Sequence, residues 1–329
     1  MKKLMHWTVI AAAAMAATGA QADDAYPSKP ITIIVPFTAG GPTDRVARDL
    51  AESLRKPLGA KTTIVIDNAA GAGSSIGIAK AARAQPDGYT LLINHIGMAT
   101  VPNMYRKLSF DVLKDFEYLG IINDVPMTLV GKPALAANNY KELAEWISAN
   151  KSKVNMANAG IGSASHLCGL LFQSTIKTEM TTVPYKGAAP AIADLMGNQV
   201  DLLCDQTTNT TSQIEGKKVK AYAVTTKQRL STPSLKSLPT LDEAGLKGFE
   251  VTIWHGMYAP KGTPPAVLKK INDALKVALK DPEFIKKSEQ LSAVVANDKR
   301  VDPAGHKAFV EAEINKWGPI IKAAGAYAD

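Results

Sequence analysis

Short apolar runs alternate with amphipathic stretches along most of the chain. Ile31–Val35 is a β-branched run that stops at Pro36, and residues 62–66 form a second such run, with residues 90–94 a third. Between them, residues 44–56 place apolar side chains at helical spacing before Pro57, and a further helix is predicted up to about residue 84. The rhythm resumes with strands over 126–131, 154–157, 182–185, 200–204 and 219–225, and helices over 140–150, 164–175 and 190–196. After Thr226 the chain turns rich in Ser, Pro and Leu, as in a surface excursion. One more apolar run (249–258) and helices over 265–279 and 303–317 complete it. Strands separated by helices of this length predict parallel sheets with helical crossovers, an α/β fold.

Gly-rich turns follow three of these strands. Thr38-Ala39-Gly40-Gly41-Pro42-Thr43-Asp44 lies between the first strand and its helix, and Asn158-Ala159-Gly160-Ile161-Gly162-Ser163 lies in the same position further on. Glycine lets the backbone approach a ligand closely, Pro42 suits a first helical position, and Ser163 or Ser165 suits a cap. Unpaired amides at a helix start favour an anion. Each turn alone is an ordinary strand–helix connection. Together they predict a cleft beyond the carboxyl ends of strands, lined from two lobes.

The first 22 residues change the picture of where this fold works. Lys2 and Lys3 precede an apolar stretch from Trp7 to Ala17, and Ala20-Gln21-Ala22 supplies a small-x-small pattern. This is a signal-peptide pattern, with cleavage expected after Ala22 and an extracytoplasmic destination, the periplasm. The stretch is shorter than the ~20 residues of a membrane span. Loss of Lys2 and Lys3 lowers the formal charge from +8 to +6. The basic residues are spread along helices without interleaved aromatics, which argues against a nucleic-acid partner and leaves a mild bias toward small anions.

Two cysteines, Cys168 and Cys204, exclude a thiolate zinc cluster. They can pair in an oxidising compartment or lie apart as small apolar side chains, and the unpaired state is favoured here. No local His pair suits a metal, and no cofactor is expected. Gly71-Ala72-Gly73-Ser74-Ser75-Ile76-Gly77 offers two look-alikes. Its third Gly falls one place late for a dinucleotide fingerprint. It is also a formal G-x-S-x-G, so a secreted serine esterase using Ser75 is the enzymatic alternative, with His95, His166, His255 and His306 following. His95 and His255 suit either a satisfied core or a pocket wall, beside Asn94 and Trp254 respectively.

The segments Tyr26 to Phe37 with Ala39 to Asp44, Pro86-Asp87-Gly88-Tyr89-Thr90, Val183-Pro184-Tyr185-Lys186-Gly187, Asp194 to Asp201, Leu238-Pro239-Thr240-Leu241 and Ala259 to Pro264 run in order over nearly the whole chain. Together they resemble the Bug (TctC) family, the substrate-binding proteins of tripartite tricarboxylate transport systems. The resemblance implies a type II periplasmic-binding-protein fold, two α/β lobes that close like a flytrap on a small carboxylate. It implies a carboxylate held, partly through waters, by Phe37, Thr38, Ala39, Gly40, Gly41 and Asp44 in one lobe and Gly160, Gly162 and Ser163 in the other. Asp205 matches a family position facing the far end of the ligand. Asn94-His95-Ile96-Gly97, Ser165-His166-Leu167-Cys168 and Cys204-Asp205-Gln206-Thr207-Thr208-Asn209-Thr210 resemble members that handle terephthalate-like dicarboxylates, although an aliphatic ligand fits the family equally.

The expected organisation is a signal peptide over 1–22, a discontinuous first lobe over 23–123 and 230–329, and a second lobe over 124–229. Hinges are expected near Asp124 and Thr225–Thr226. The expected function is non-enzymatic capture of a carboxylate by a monomer that delivers it to membrane transporter subunits. A sensor for a membrane signalling partner is the other alternative. The body of the ligand is expected against Phe37, Tyr185 or Trp254, with Asn94, His95, Asp205 or His255 at its distal end. The anion would rest on backbone amides, because neither turn carries Arg or Lys.

Overall fold

A computed structural model describes residues 26–323 together with 325 and 327. Three parallel strands open the chain: β1 (Ile31–Val35), β2 (Ile64–Asn68) and β3 (Thr90–His95), in the order β2-β1-β3. Helix α1 (Pro42–Leu58) crosses from β1 to β2 and buries Val46, Ala47, Leu50, Ala51 and Leu54, the three-to-four spacing that one helix face presents to a sheet. Helix α2 (Ser75–Ala82) follows β2, and α3 (Gly97–Met104) follows β3.

The next strand, β4 (Phe116–Gly131), is sixteen residues long and belongs to both halves of the molecule. Up to Pro126 it pairs with the late strand β9 (Thr252–Pro260), which also lies on β3, and the short β10 (Val294–Val295) joins at Asn123 and Asp124. From Met127 onward its neighbours are β7 (Leu202–Gln206) and β8 (Lys220–Val224). The sequence pattern predicted a strand only from 126, since a proline normally bounds a strand. Pro126 is accommodated because it stands where β4 exchanges one set of neighbours for another.

The second half continues with α4 (Tyr140–Asn150), β5 (Asn155–Asn158), α5 (Ala164–Ile176), β6 (Thr181–Pro184) and α6 (Ala188–Met196), which lead to β7 and α7 (Thr207–Glu215). Strands β5, β6 and β7 are parallel, in the order β7-β5-β6. Helices α8 (Pro265–Ala278), α9 (Pro282–Gln290) and α10 (Pro303–Ala323) return to the first half. The result is a mixed α/β fold of two lobes.

Thr225 fastens the crossings between them. Its hydroxyl donates to the Val251 carbonyl at 2.6 Å and accepts from the Met127 amide at 3.1 Å, while the Val251 amide donates to the Thr225 carbonyl. Residues 226–250 touch both lobes. Thr240 bridges to Val224, and the Thr232 hydroxyl bonds that of Ser292.

Cys168 and Cys204 form a disulfide with their Cα atoms 6.0 Å apart, joining α5 to β7. This corrects the favoured unpaired state: sequence spacing carries no information on distance, and only the packing of α5 on β7 brings the two together.

Candidate ligand-binding site

Parallel strands aim their carboxyl ends in one direction, and in both lobes those ends face the other lobe. From the first lobe come Phe37–Gly41 after β1, residues 69–74 after β2, and His95 at the end of β3. From the second come residues 159–163 after β5, residues 185–187 after β6, and Gln206–Thr208 between β7 and α7.

The contact between lobes is backbone on backbone. A methyl group added at Gly73 would overlap the Ile161 carbonyl, and one added at Gly160 would stand 2.9 Å from the Gly73 nitrogen. Gly187 approaches Thr38 so closely that a Cβ would strike the Thr38 hydroxyl. Between these two ridges lies a cavity of 570 Å³ lined by Thr38, Ala72, Tyr105, Gly160, Ile161, Tyr185 and Lys186, among others. The segment around residues 71–74, which in sequence offered two motif look-alikes and, as Gly71-Ala72-Gly73 with Ile76-Gly77, part of the family resemblance, is therefore a third wall of the site. Its signal was the cluster of glycines, since Gly71 and Gly73 both have positive φ.

Asp44 organises the first turn. Its buried carboxylate accepts from the Gly40 amide at 2.9 Å, from Arg48 at 2.9 Å and from Asn68 at 2.9 Å, and Asn68 also donates to the Phe37 carbonyl. Burial alone would raise its pKa. The hydrogen bonds from Arg48, Gly40 and Asn68 outweigh that and hold it below the usual carboxylate value. Ala39 and Gly40 are exposed at the rim, and Gly41 is buried.

The second turn is tied in the same manner. Asn158 accepts from the Gly160 amide, the Ser163 amide donates to the Gly160 carbonyl, and Ser163 caps α5 by accepting from the His166 amide. The amides of Gly40, Gly41, Gly160 and Ser163 are thus all engaged within their own turns. This modifies the expected cradle of free glycine amides, because Asp44, Thr38 and Asn158 reach those donors first. Besides Ser234, Tyr258 and His306 elsewhere in the fold, the buried side-chain atoms without a partner among the described residues are the hydroxyls of Thr38, Thr207 and Thr208 and Oε1 of Gln206, at strand ends of the cleft. Buried polar atoms are normally paired, so this set marks where a ligand or water would bond. The sequence marked the 206–208 group only through its family resemblance, since a Thr-rich stretch gives no binding motif of its own.

The floor of the first lobe carries the predicted histidines. Phe37 stacks on His95 with ring centroids 4.6 Å apart, and His95 meets His255 edge-on at 5.9 Å. The Gly97 amide donates to His95 Nδ1, which places the ring proton on Nε2. His255 bonds Asn123 through Nδ1 at 2.9 Å and Thr43 through Nε2 at 3.3 Å. Burial pushes the His95 pKa down to about 3. It also holds His255 well below its ordinary value, with the neighbouring His95 adding to the effect. Both rings are neutral at pH 7. Asn94 is buried beside them, its Oδ1 accepting from the His95 amide.

Two predicted residues stand apart from this group. Trp254 is next to His255 in β9, and neighbours in a strand point to opposite faces. Its indole donates to Glu313 at 3.0 Å and packs on Phe309, against α10, so the structure places it away from His95, His255 and Phe37. Tyr185 lines the cavity, but its hydroxyl donates to Asp194 at 2.6 Å, and burial with that partner raises its pKa to about 12. Asp205 is buried at the end of β7, where it accepts from Asn209 at 2.6 Å.

Ser75 opens α2 with ordinary helical dihedrals, φ −60° and ψ −31°, rather than a strained elbow. Among the described residues no hydrogen bond joins it to a histidine. Nor, among the described residues, does any group of three or more His, Cys, Asp or Glu side chains suit a metal ion.

The match to known proteins covers most of the chain. The model of the tripartite tricarboxylate transporter family receptor fits residues 46–326. The chain belongs to that receptor family. The periplasmic binding protein BugD is 49% identical, with a TM-score of 0.88 over 92% of this chain and 99% of that one. MatC from Rhodopseudomonas palustris, solved with bound malate, is 34% identical with a TM-score of 0.85, over 90% and 100% of the two chains. Another R. palustris protein, solved with adipate, is 32% identical with a TM-score of 0.85, over 91% and 98%. The family and these neighbours are periplasmic binding receptors, and the fold is theirs. No helix among the described residues is long and apolar enough to cross a membrane. The signal-peptide segment, residues 1–22, lies outside the described residues.

Proposed function

We propose that the chain is a receptor that captures a small dicarboxylate between its lobes and delivers it to a tripartite tricarboxylate-type transporter. The observation that carries this is the convergence of strand ends from both lobes on one cavity, with the orphaned hydroxyl of Thr38 in its wall. Malate in one relative and adipate in another support the carboxylate class. The ligand lies against Phe37 and His95 and between Thr38–Gly41 and Gly160–Ser163. Hydroxyls and waters meet its charge, with Lys186 at the cavity wall. Asn94, His255 and Asp205 stand behind this shell and fix its polarity. The lobes comprise 23–123 with 230–329 and 124–229, hinge near Asp124 and Thr225, and work as a monomer in the periplasm after cleavage behind Ala22.

A thermal-shift screen of the refolded mature chain tests this reading. Malate, adipate, citrate and terephthalate form one arm, and neutral sugars and a chromogenic ester form the other. A ligand present at 100 times its Kd stabilises the native state by about 2.7 kcal/mol. A shift confined to a narrow set of acids is expected. No shift from any acid, or turnover of the ester that vanishes in Ser75→Ala, overturns the proposal.

A further inference from the structure

The carbonyls of the second turn are held by hydroxyls from the other lobe. Thr100, fully buried in α3, donates to the Gly162 carbonyl at 2.5 Å, and its other bond, to Ile96 in its own helix, is longer at 3.3 Å. Tyr105, just beyond the end of α3, donates to the Ile161 carbonyl at 3.0 Å. Around these bonds the fit is close. A Cβ on Gly162 would lie 3.2 Å from Val101, and Gly162 itself has φ +90°. The turn can offer both carbonyls outward because its amides are spent internally: Gly160 on Asn158, Gly162 on His166, and Ser163 on Gly160.

We infer that Thr100 and Tyr105 form a latch that sets the balance between the open and closed receptor, as positioning residues for ligand capture. The inference rests on the proposed capture of a ligand between the lobes. When the lobes part, both hydroxyls and both carbonyls pass to water. When they close, the Gly162 carbonyl is buried with Thr100 as its donor, while the Ile161 carbonyl, on a half-buried residue at the cavity wall, is held by Tyr105. A satisfied pair gains little over water, but a buried carbonyl left without its donor is costly. The latch therefore acts through what its loss does to the closed state. Because it grips backbone and not ligand, it scales the affinity of every ligand by the same factor, through the fraction of receptor able to close.

Thr100→Val keeps the shape and removes the donor, Thr100→Ser restores it, and Tyr105→Phe removes the second donor. The two probes are malate and adipate, measured by calorimetry and by dissociation rate. Thr100→Val is expected to weaken both acids about tenfold and by the same factor, mainly through faster dissociation. Thr100→Ser should return both to within about twofold of the unmodified protein. Closure is followed independently by spin labels on Val65→Cys and Thr182→Cys, exposed positions on the outer strands β2 and β6. Without ligand, Thr100→Val and Tyr105→Phe should shift the distance distribution toward longer separations. Affinities unchanged in Thr100→Val, a changed ratio of malate to adipate, or identical distance distributions overturn the latch. If neither acid binds the unmodified protein, the carboxylate reading fails, and the distance distributions alone decide the latch.

Discussion

Two buried aspartates of this receptor have opposite electrostatic fates. Asp44 has three hydrogen-bond donors, one of them charged, and is held ionised. Asp205 has one side-chain donor, Asn209, and burial raises its pKa from 3.8 to about 6, only partly offset by Asn209 and the Gln206 amide. An acid with a raised folded pKa penalises the folded state at every pH above that value. The penalty fades as pH falls through about 6 and is gone below the unfolded value of 3.8. A shift of two units corresponds to about 3 kcal/mol at pH 7.5. Asp205→Asn keeps the shape and a bond to Asn209. It should stabilise the protein by about 2–3 kcal/mol at pH 7.5 and by less at pH 5.5, measured by urea denaturation. A loss of stability at pH 7.5 would show that its charge is compensated. A costly charge kept at the end of a strand that faces the cleft is what a site retains for recognition.

At the scale of elements, the disulfide joins the helix that begins at the second turn to the strand that carries Asp205. It spans 36 residues of sequence, and constraining a loop of that length stabilises the fold by about 4 kcal/mol in the chain-entropy account. Reduction, or the paired change Cys168→Ala with Cys204→Ala, should lower the free energy of unfolding by about 2–4 kcal/mol. An unmoved denaturation midpoint, with two thiols titrated, would refute that account. This bond was illegible in the sequence because spacing along the chain does not give spacing in space. Elements with strong periodicity were legible: β1, α4 and the turn before α5 are where the pattern puts them. Helix α7 was not, since Thr207–Glu215 is rich in poor helix formers. It holds through packing, and Thr210 and Thr211 turn their hydroxyls onto carbonyls four residues back, a bond that satisfies them without strengthening the helix. Neither the bond from Asn209 to Asp205 nor the burial of the Thr207 and Thr208 hydroxyls could be read without that helix. The place of Trp254 was legible but misjudged: strict alternation in β9 already separates it from His255.

The whole molecule carries four buried histidines in the described fold: His95, His166, His255 and His306. Burial lowers all four, to about 3 for His95 and His306, to about 4 for His166, and well below 6.5 for His255. Well above pH 6.5 they are neutral in folded and unfolded chains alike, and at 6.5 the unfolded rings are already half protonated. Below it the unfolded chain takes up protons that the folded chain refuses, so stability falls with acidification until the folded pKa is reached. Asp205 works in the opposite sense between about 6 and 3.8, because there the folded chain holds the extra proton. Four protons opposed by one leave a net uptake of about three on unfolding, or about 4 kcal/mol lost per pH unit near pH 5. Folded domains are stable by about 5–15 kcal/mol, so a loss of this size spans the whole margin within a few units. Urea denaturation at pH 8.5, 7.5, 6.5, 5.5 and 5.0 should therefore give a near-plateau down to about 7.5 and then a fall that steepens with acidification. In Asp205→Asn the opposing proton is gone, and the fall should steepen toward four protons. A stability independent of pH between 6.5 and 5.0 would mean that the folded receptor accepts imidazolium in its interior, which the bonded, dry rings of His95 and His255 argue against.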